Sequence, residues 1–155
     1  MDTRSTHILA EFRGCEIAAL NDLDYIEAAM RSAAEAAGAT VVNSSFHQFG
    51  PQGVSGVLVL AESHISVHTW PEHAYAATDI YVCGDNCFPQ LAQDLLASSL
   101  GAADSEMMTI ERGTQLGGSN EPGMRVLHHQ QGNTAAASAK LGDESAQSQE
   151  RIRRA

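Results

Sequence analysis

Ser63 stands between Glu62 and His64 in the segment AESHISVHTWPE (61–72), with His68 further along the same run. A hydroxyl flanked by imidazoles has the parts of an activated nucleophile and its proton carriers. The G-x-S-x-G setting of a hydrolase elbow is absent, however. His64, His68 and His73 also invite a metal, and on a strand the first two would share a face. Pro71 separates His73 from them, and no cysteine or carboxylate is firmly placed nearby to complete a shell, so no metal is expected. Cys83 and Cys87 are separated by three residues, not by the two of redox and zinc modules. Periodicity alone makes both of them small structural residues.

The elements that must position these groups can be read from apolar spacing. His7 to Phe12 suits a first strand, and Asn21 or Asp22 can cap a helix whose apolar residues Tyr25, Ile26, Ala29, Met30 and Ala33 recur at helical intervals up to Gly38. Thr40 to Phe49 resumes a strand composition, and Gly50, Pro51 and Gly53 turn the chain into the apolar run VSGVLVLA. Ser63 to Trp70 alternates, with His64, Ser66, His68 and Trp70 on one face and Ile65, Val67 and Thr69 on the other. Pro71 ends that strand, and Tyr75 to Cys83 forms the next, with Asp79, Tyr81 and Cys83 sharing a face. A second helix is predicted with Asn86 as cap, Pro89 in its first turn and a stripe of Leu91, Leu95, Leu96 and Leu100. Gly101 closes it, and Glu106 to Arg112 makes a last strand.

Consecutive strands with short turns argue for an α+β fold: a two-layer sandwich of a mainly antiparallel sheet with two helices on one face. The opposite face is histidine-bearing yet keeps apolar residues, so sheet-to-sheet dimerisation into an αββα sandwich is the expectation. From Thr114 the chain turns to Gln, Ser, Ala and Gly and offers no core; 1–113 is read as the domain and 114–155 as a disordered tail. His128 and His129 fall in that tail and are read as solvated.

The 155 residues carry a net charge of −10. Up to Gly113 there are four basic against fifteen acidic residues, and beyond it five against four, so the acidity belongs to the domain. Such a surface repels phosphate backbones, which argues against nucleic-acid binding, and favours the approach of a cationic small molecule. No apolar run is long enough to span a membrane, no signal-peptide plan opens the chain, and three cysteines in that context stay reduced, so a cytoplasmic location is expected.

The segment HQFGPQGVSGVLVLAESHISVHTWPEHAYAATDIYVCGD, together with ILAEFRGC, LNDLDYIEAAMRSAAEAAGATVV and MMTIERG, closely resembles the prokaryotic pyruvoyl-dependent S-adenosylmethionine decarboxylase proenzymes over about residues 6–113. The resemblance implies that Ser63 attacks the carbonyl of Glu62, that β-elimination cuts the chain between them, and that position 63 becomes a pyruvoyl group. His68 matches the histidine that assists elimination, and Ser55 the serine that steadies the intermediate. The pyruvoyl group would form a Schiff base with the substrate amine and act as the electron sink for loss of carbon dioxide. Cys83 matches the proton donor to the resulting carbanion, a role that replaces the structural reading of that residue, whereas Cys87 has no such match.

For the substrate, S-adenosylmethionine, the resemblance implies that Phe49 stacks on adenine and that Glu72 accepts from the ribose hydroxyls. The product would be the aminopropyl donor for spermidine synthesis. A homodimer of cleaved protomers, two short and two long chains, is implied with it. Pyridoxal phosphate is not expected, since the one lysine is Lys140 and no phosphate-binding loop occurs. Tyr81-Val82 replaces the Phe-Thr more usual before the cysteine. A relative acting on ornithine or arginine, or an uncleaved binding protein, remains open at this stage.

Overall fold

The structure, a computed structural model, describes residues 4–84, 86–113 and 123–132. Seven strands are present among these: β1 (Ser5–Arg13), β2 (Val41–Gln48), β3 (Val54–Leu60), β4 (Ser63–Trp70), β5 (Tyr75–Cys83), β6 (Asp104–Arg112) and β7 (Met124–Gly132). They form one sheet in the order β2-β3-β4-β5-β1-β6-β7, with every neighbouring pair antiparallel. The expected two-layer α+β plan holds.

Helices α2 (Leu23–Ala36) and α3 (Pro89–Ser99) supply the second layer, preceded by a single turn of helix, α1 (Ile17–Leu20). Asp22 caps α2 by accepting from the Tyr25 N–H at 3.0 Å, an interaction whose loss costs about 1 kcal/mol. The face of α2 turned to the core is Ile26, Ala29, Met30, Ala33 and Ala34. Its small alanines let α2 and α3 lie close over the sheet. Beneath them pack Ile8, Ala10 and Phe12 of β1, Val54 and Leu58 of β3, Ile65 and Val67 of β4, and Ile80 of β5, all essentially buried. Their alternation is the strand period expressed as one wet and one dry face.

Three expectations are corrected. Asn86 does not cap α3: Phe88 occupies that position without a side-chain hydrogen bond, and Pro89 starts the helix. Of the expected stripe of α3, Leu96 and Leu100 are buried and Leu95 packs against the core, but Leu91 is exposed, and Ala92, Gln93 and Ala97 complete the buried face. Met124–Gly132, expected in a disordered tail, forms β7 against β6. Its side chains are almost all exposed, so its formation rests on backbone pairing with the free edge of β6, which needs no apolar face. The sheet therefore continues beyond Gly113; residues 133–155 lie outside the described residues.

The face away from the helices carries Leu9, Val57, Val59, Trp70, Met108 and Ile110 among polar groups, none of them buried. Both the candidate site and this apolar remnant lie on that open face.

Candidate active site

The turn Ala61–Glu62 joins β3 to β4, so Ser63 enters β4 opposite Leu60 on one side and Val82 of β5 on the other. Its φ is +146°, a conformation that L residues rarely adopt. The peptide before it is held from two directions. The Glu62 carbonyl accepts from the Cys83 N–H at 2.9 Å, and the Glu62 carboxylate accepts from the Thr40 N–H at 2.9 Å. Ser63 Oγ lies 3.1 Å from Nδ1 of His64.

Cys83 closes β5 beside this junction with an exposed side chain. Cys87 is half-buried, and its thiol points to the Gly38 carbonyl at 3.8 Å. Burial first, then the charges of Glu62 and Cys83, raises the Cys87 pKa. Burial alone pushes Cys15 up to about 11. Neither of these two thiols is prepared to ionise.

A second cluster sits at the other end of β3 and β4. Ser55 and His68 face each other across the ladder, Oγ to Nδ1 at 2.6 Å. Trp70 extends the row, its ring 6.1 Å from His68 and 5.2 Å from Tyr75. Phe49 stands exposed on the β2–β3 loop, with His47 edge-on at 4.7 Å. Glu72, in the 3₁₀ turn Pro71–His73, accepts from Gln52 at 3.1 Å. Gly53 lets that loop and turn meet: at φ +100°, a Cβ there would come within 2.9 Å of the Thr69 carbonyl oxygen.

The residues expected at one site thus form two groups. Ser63, Glu62 and Cys83 lie at one end, while Ser55, His68, Phe49 and Glu72 lie at the other. Ser63 and His68 stand five positions apart on the strand, about 16 Å at the usual rise per residue. Within one chain His68 does not reach Ser63. Among the described residues no group of three or more candidate metal ligands gathers.

A polar belt fills the sheet between the two clusters. Ser66 donates to Asp79 at 3.2 Å, and Asp79 lies 3.2 Å from Nε2 of His7. Arg112 approaches the other nitrogen of His7 at 3.3 Å and covers the Tyr81 ring at 4.7 Å. Because arginine can only donate, Nδ1 accepts and Nε2 carries the proton toward Asp79. Burial, the largest influence, lowers the His7 pKa against the raising pull of Asp79, in keeping with a neutral ring. Sequence reasoning placed Asp79 and Tyr81 on this face but missed His7 and Arg112, whose strands pair only through long-range contacts. It named His64 as a possible proton carrier beside Ser63, but the family resemblance assigned it no role.

Residues 6–113 match the protein family described as S-adenosylmethionine decarboxylase. Among curated relatives, S-adenosylmethionine decarboxylase proenzyme 2 of Halalkalibacterium halodurans is 42% identical over 127 residues, covering 82% of this chain and 100% of the relative. That span cannot fit within 1–113, so the likeness also continues past Gly113. Proenzyme 1 of Bacillus cereus is 46% identical over 114 residues, covering 74% and 88%. A crystal structure of the adenosylmethionine decarboxylase from Aquifex aeolicus superposes with a TM-score of 0.69 at 35% identity, covering 78% of this chain and all of that one. With the family match spanning β1 to β6, α2, α3 and every residue of the two clusters, the chain belongs to the S-adenosylmethionine decarboxylase family.

Proposed function

We propose that this chain cuts itself between Glu62 and Ser63, converts Ser63 to a pyruvoyl group, and decarboxylates S-adenosylmethionine in the cytoplasm. The observation that carries the reading is the junction itself. Ser63 is held at an unfavourable φ, its preceding carbonyl accepts from a backbone N–H, and Cys83 supplies that N–H. A carbonyl fixed on an amide donor is polarised toward attack, and the same donor would stabilise the oxyanion that attack creates. The residues present therefore suit formation of the group in place. Once formed, it supplies the electron sink needed when carbon dioxide departs.

The chain's own residues account for the remaining tasks. Cys83, exposed beside position 63, is the proton donor to the carbon that loses the carboxylate. Phe49 offers a free aromatic face to adenine, and Glu72 a carboxylate to the ribose hydroxyls. Ser55 and His68, already hydrogen-bonded to each other, assist elimination during processing.

These tasks need both clusters in one place, and a single sheet keeps them about 16 Å apart. Two copies packed open face to open face about a twofold axis would set each end against the opposite end of the partner. Each complete site would then take Ser63 and Cys83 from one protomer and Ser55, His68, Phe49 and Glu72 from the other. The partly exposed Val59 and Trp70 supply apolar area for that packing.

The test is intact-mass measurement of the purified protein followed by assay of carbon dioxide release. The expected result is two chains divided at Glu62 and Ser63, the larger ketone-blocked, with release from S-adenosylmethionine. A single unbroken chain after long incubation refutes the processing. Release only from ornithine or arginine refutes the substrate.

A further inference from the structure

Regular alternation along β4 would send the side chains of Ser63 and His64 to opposite faces of the sheet. They meet instead, Oγ to Nδ1 at 3.1 Å, at the residue whose φ is +146°. That conformation falls where the turn Ala61–Glu62 enters β4. Its visible effect is to bring the hydroxyl to the neighbouring imidazole.

The imidazole is itself held in place. His64 pairs with Tyr81 across β4 and β5, ring centroids 5.5 Å apart. Tyr81 is fixed by the Ser5 hydroxyl, 2.9 Å from its oxygen, and by the Arg112 guanidinium over its ring. His7, beside the Tyr81 ring, and Asp79 are further titratable groups on this part of the face. Within the same protomer His68 sits about 16 Å along the strand, out of reach of this hydroxyl, and in the dimer proposed above it is assigned to the later elimination.

We infer that His64 is the base that takes the Ser63 proton in the first step of self-cleavage, an assignment that rests on the processing proposed above. A serine hydroxyl is a weak nucleophile until a base accepts its proton. As Ser63 Oγ forms its bond to the Glu62 carbonyl carbon, the hydroxyl proton moves to Nδ1 of His64. The oxygen of that carbonyl takes up the negative charge against the Cys83 N–H. When it re-forms the double bond, the bond from the Glu62 carbon to the Ser63 nitrogen breaks. The imidazolium returns its proton to that nitrogen. An amide has become an ester, with no net change in charge or oxidation state. Tyr81 is a positioning residue for this step.

The experiment follows cleavage by intact mass in the full chain and in His64→Ala and His64→Asn proteins, with and without hydroxylamine or imidazole. Asparagine keeps a hydrogen-bond acceptor near Nδ1 but cannot carry the proton. Both variants are expected to slow cleavage by about 100-fold or more, to yield no hydroxylamine-sensitive ester, and, for His64→Ala, to recover with imidazole. That recovery separates lost chemistry from lost fold. Wild-type rates in His64→Asn, or an ester accumulating in either variant, would overturn the assignment. A wild-type chain that never cleaves would instead remove the processing on which it rests.

Discussion

Holding serine at φ +146° costs on the order of 1–3 kcal/mol, and the cost falls at the bond proposed to break. Glycine adopts such a conformation readily. Ser63→Ala and Ser63→Gly proteins should both stay uncut, but the glycine chain should be the more stable, by about 1–3 kcal/mol in denaturant unfolding. Equal stabilities would mean that the junction holds no strain. Cys83→Ala should still cleave yet turn over about 100-fold more slowly or worse, measured as carbon dioxide release per cut chain; normal turnover would remove the proton-donor role. The identity of these residues was legible in the motif, since Ser63, His68 and Cys83 could be named from it. Their separation was not read, although the strand bounds imply it: Ser63 and His68 stand five positions apart on β4. What the motif could not show was the φ of Ser63, which depends on the turn at Ala61–Glu62 and on Cys83 across the ladder.

At the scale of elements, β4 and β5 have the bounds predicted for them, Ser63–Trp70 and Tyr75–Cys83, because each buries one face and the alternation survives in the sequence. The strand β7 buries neither face and left no such trace. The cap of α3 was misread, since Phe88 holds that position, and its stripe was only partly right: Leu96 and Leu100 are buried, but Leu91 is exposed and Ala92 and Ala97 share the packing. Electrostatics help fasten β7: Glu106 of β6 receives hydrogen bonds from Arg13 and from His129 of β7. Arg13 first, then His129 and Gln131, hold its pKa down at about 2 from the ordinary 4.5. A depressed carboxylate stabilises the fold above its unfolded pKa and ceases to do so as pH falls through its folded one. Protection of the β7 amides, taken relative to intrinsic exchange at each pH, should therefore fall between about pH 4.5 and pH 2, and Glu106→Gln should flatten that dependence. An unchanged profile in the variant would assign the fastening to backbone pairing alone.

For the whole molecule, shared sites make a specific demand on mixed dimers. A His68→Ala chain and a Cys83→Ala chain, each deficient alone, should regain one working site of two when co-expressed. Mass analysis should then find the His68→Ala chain cut. No recovery in verified heterodimers would confine each site to one protomer. Strand order carries a separate consequence for the cut protein. β1, β2 and β3 would belong to the short fragment and β4 to β7 to the long one, but β1 lies between β5 and β6. The short fragment is woven into the long one, paired along both edges of β1 and again where β3 meets β4. Breaking one peptide bond releases only a turn. The fragments can part only if three ladders open together, so maturation would sever the chain and leave the fold a single cooperative unit.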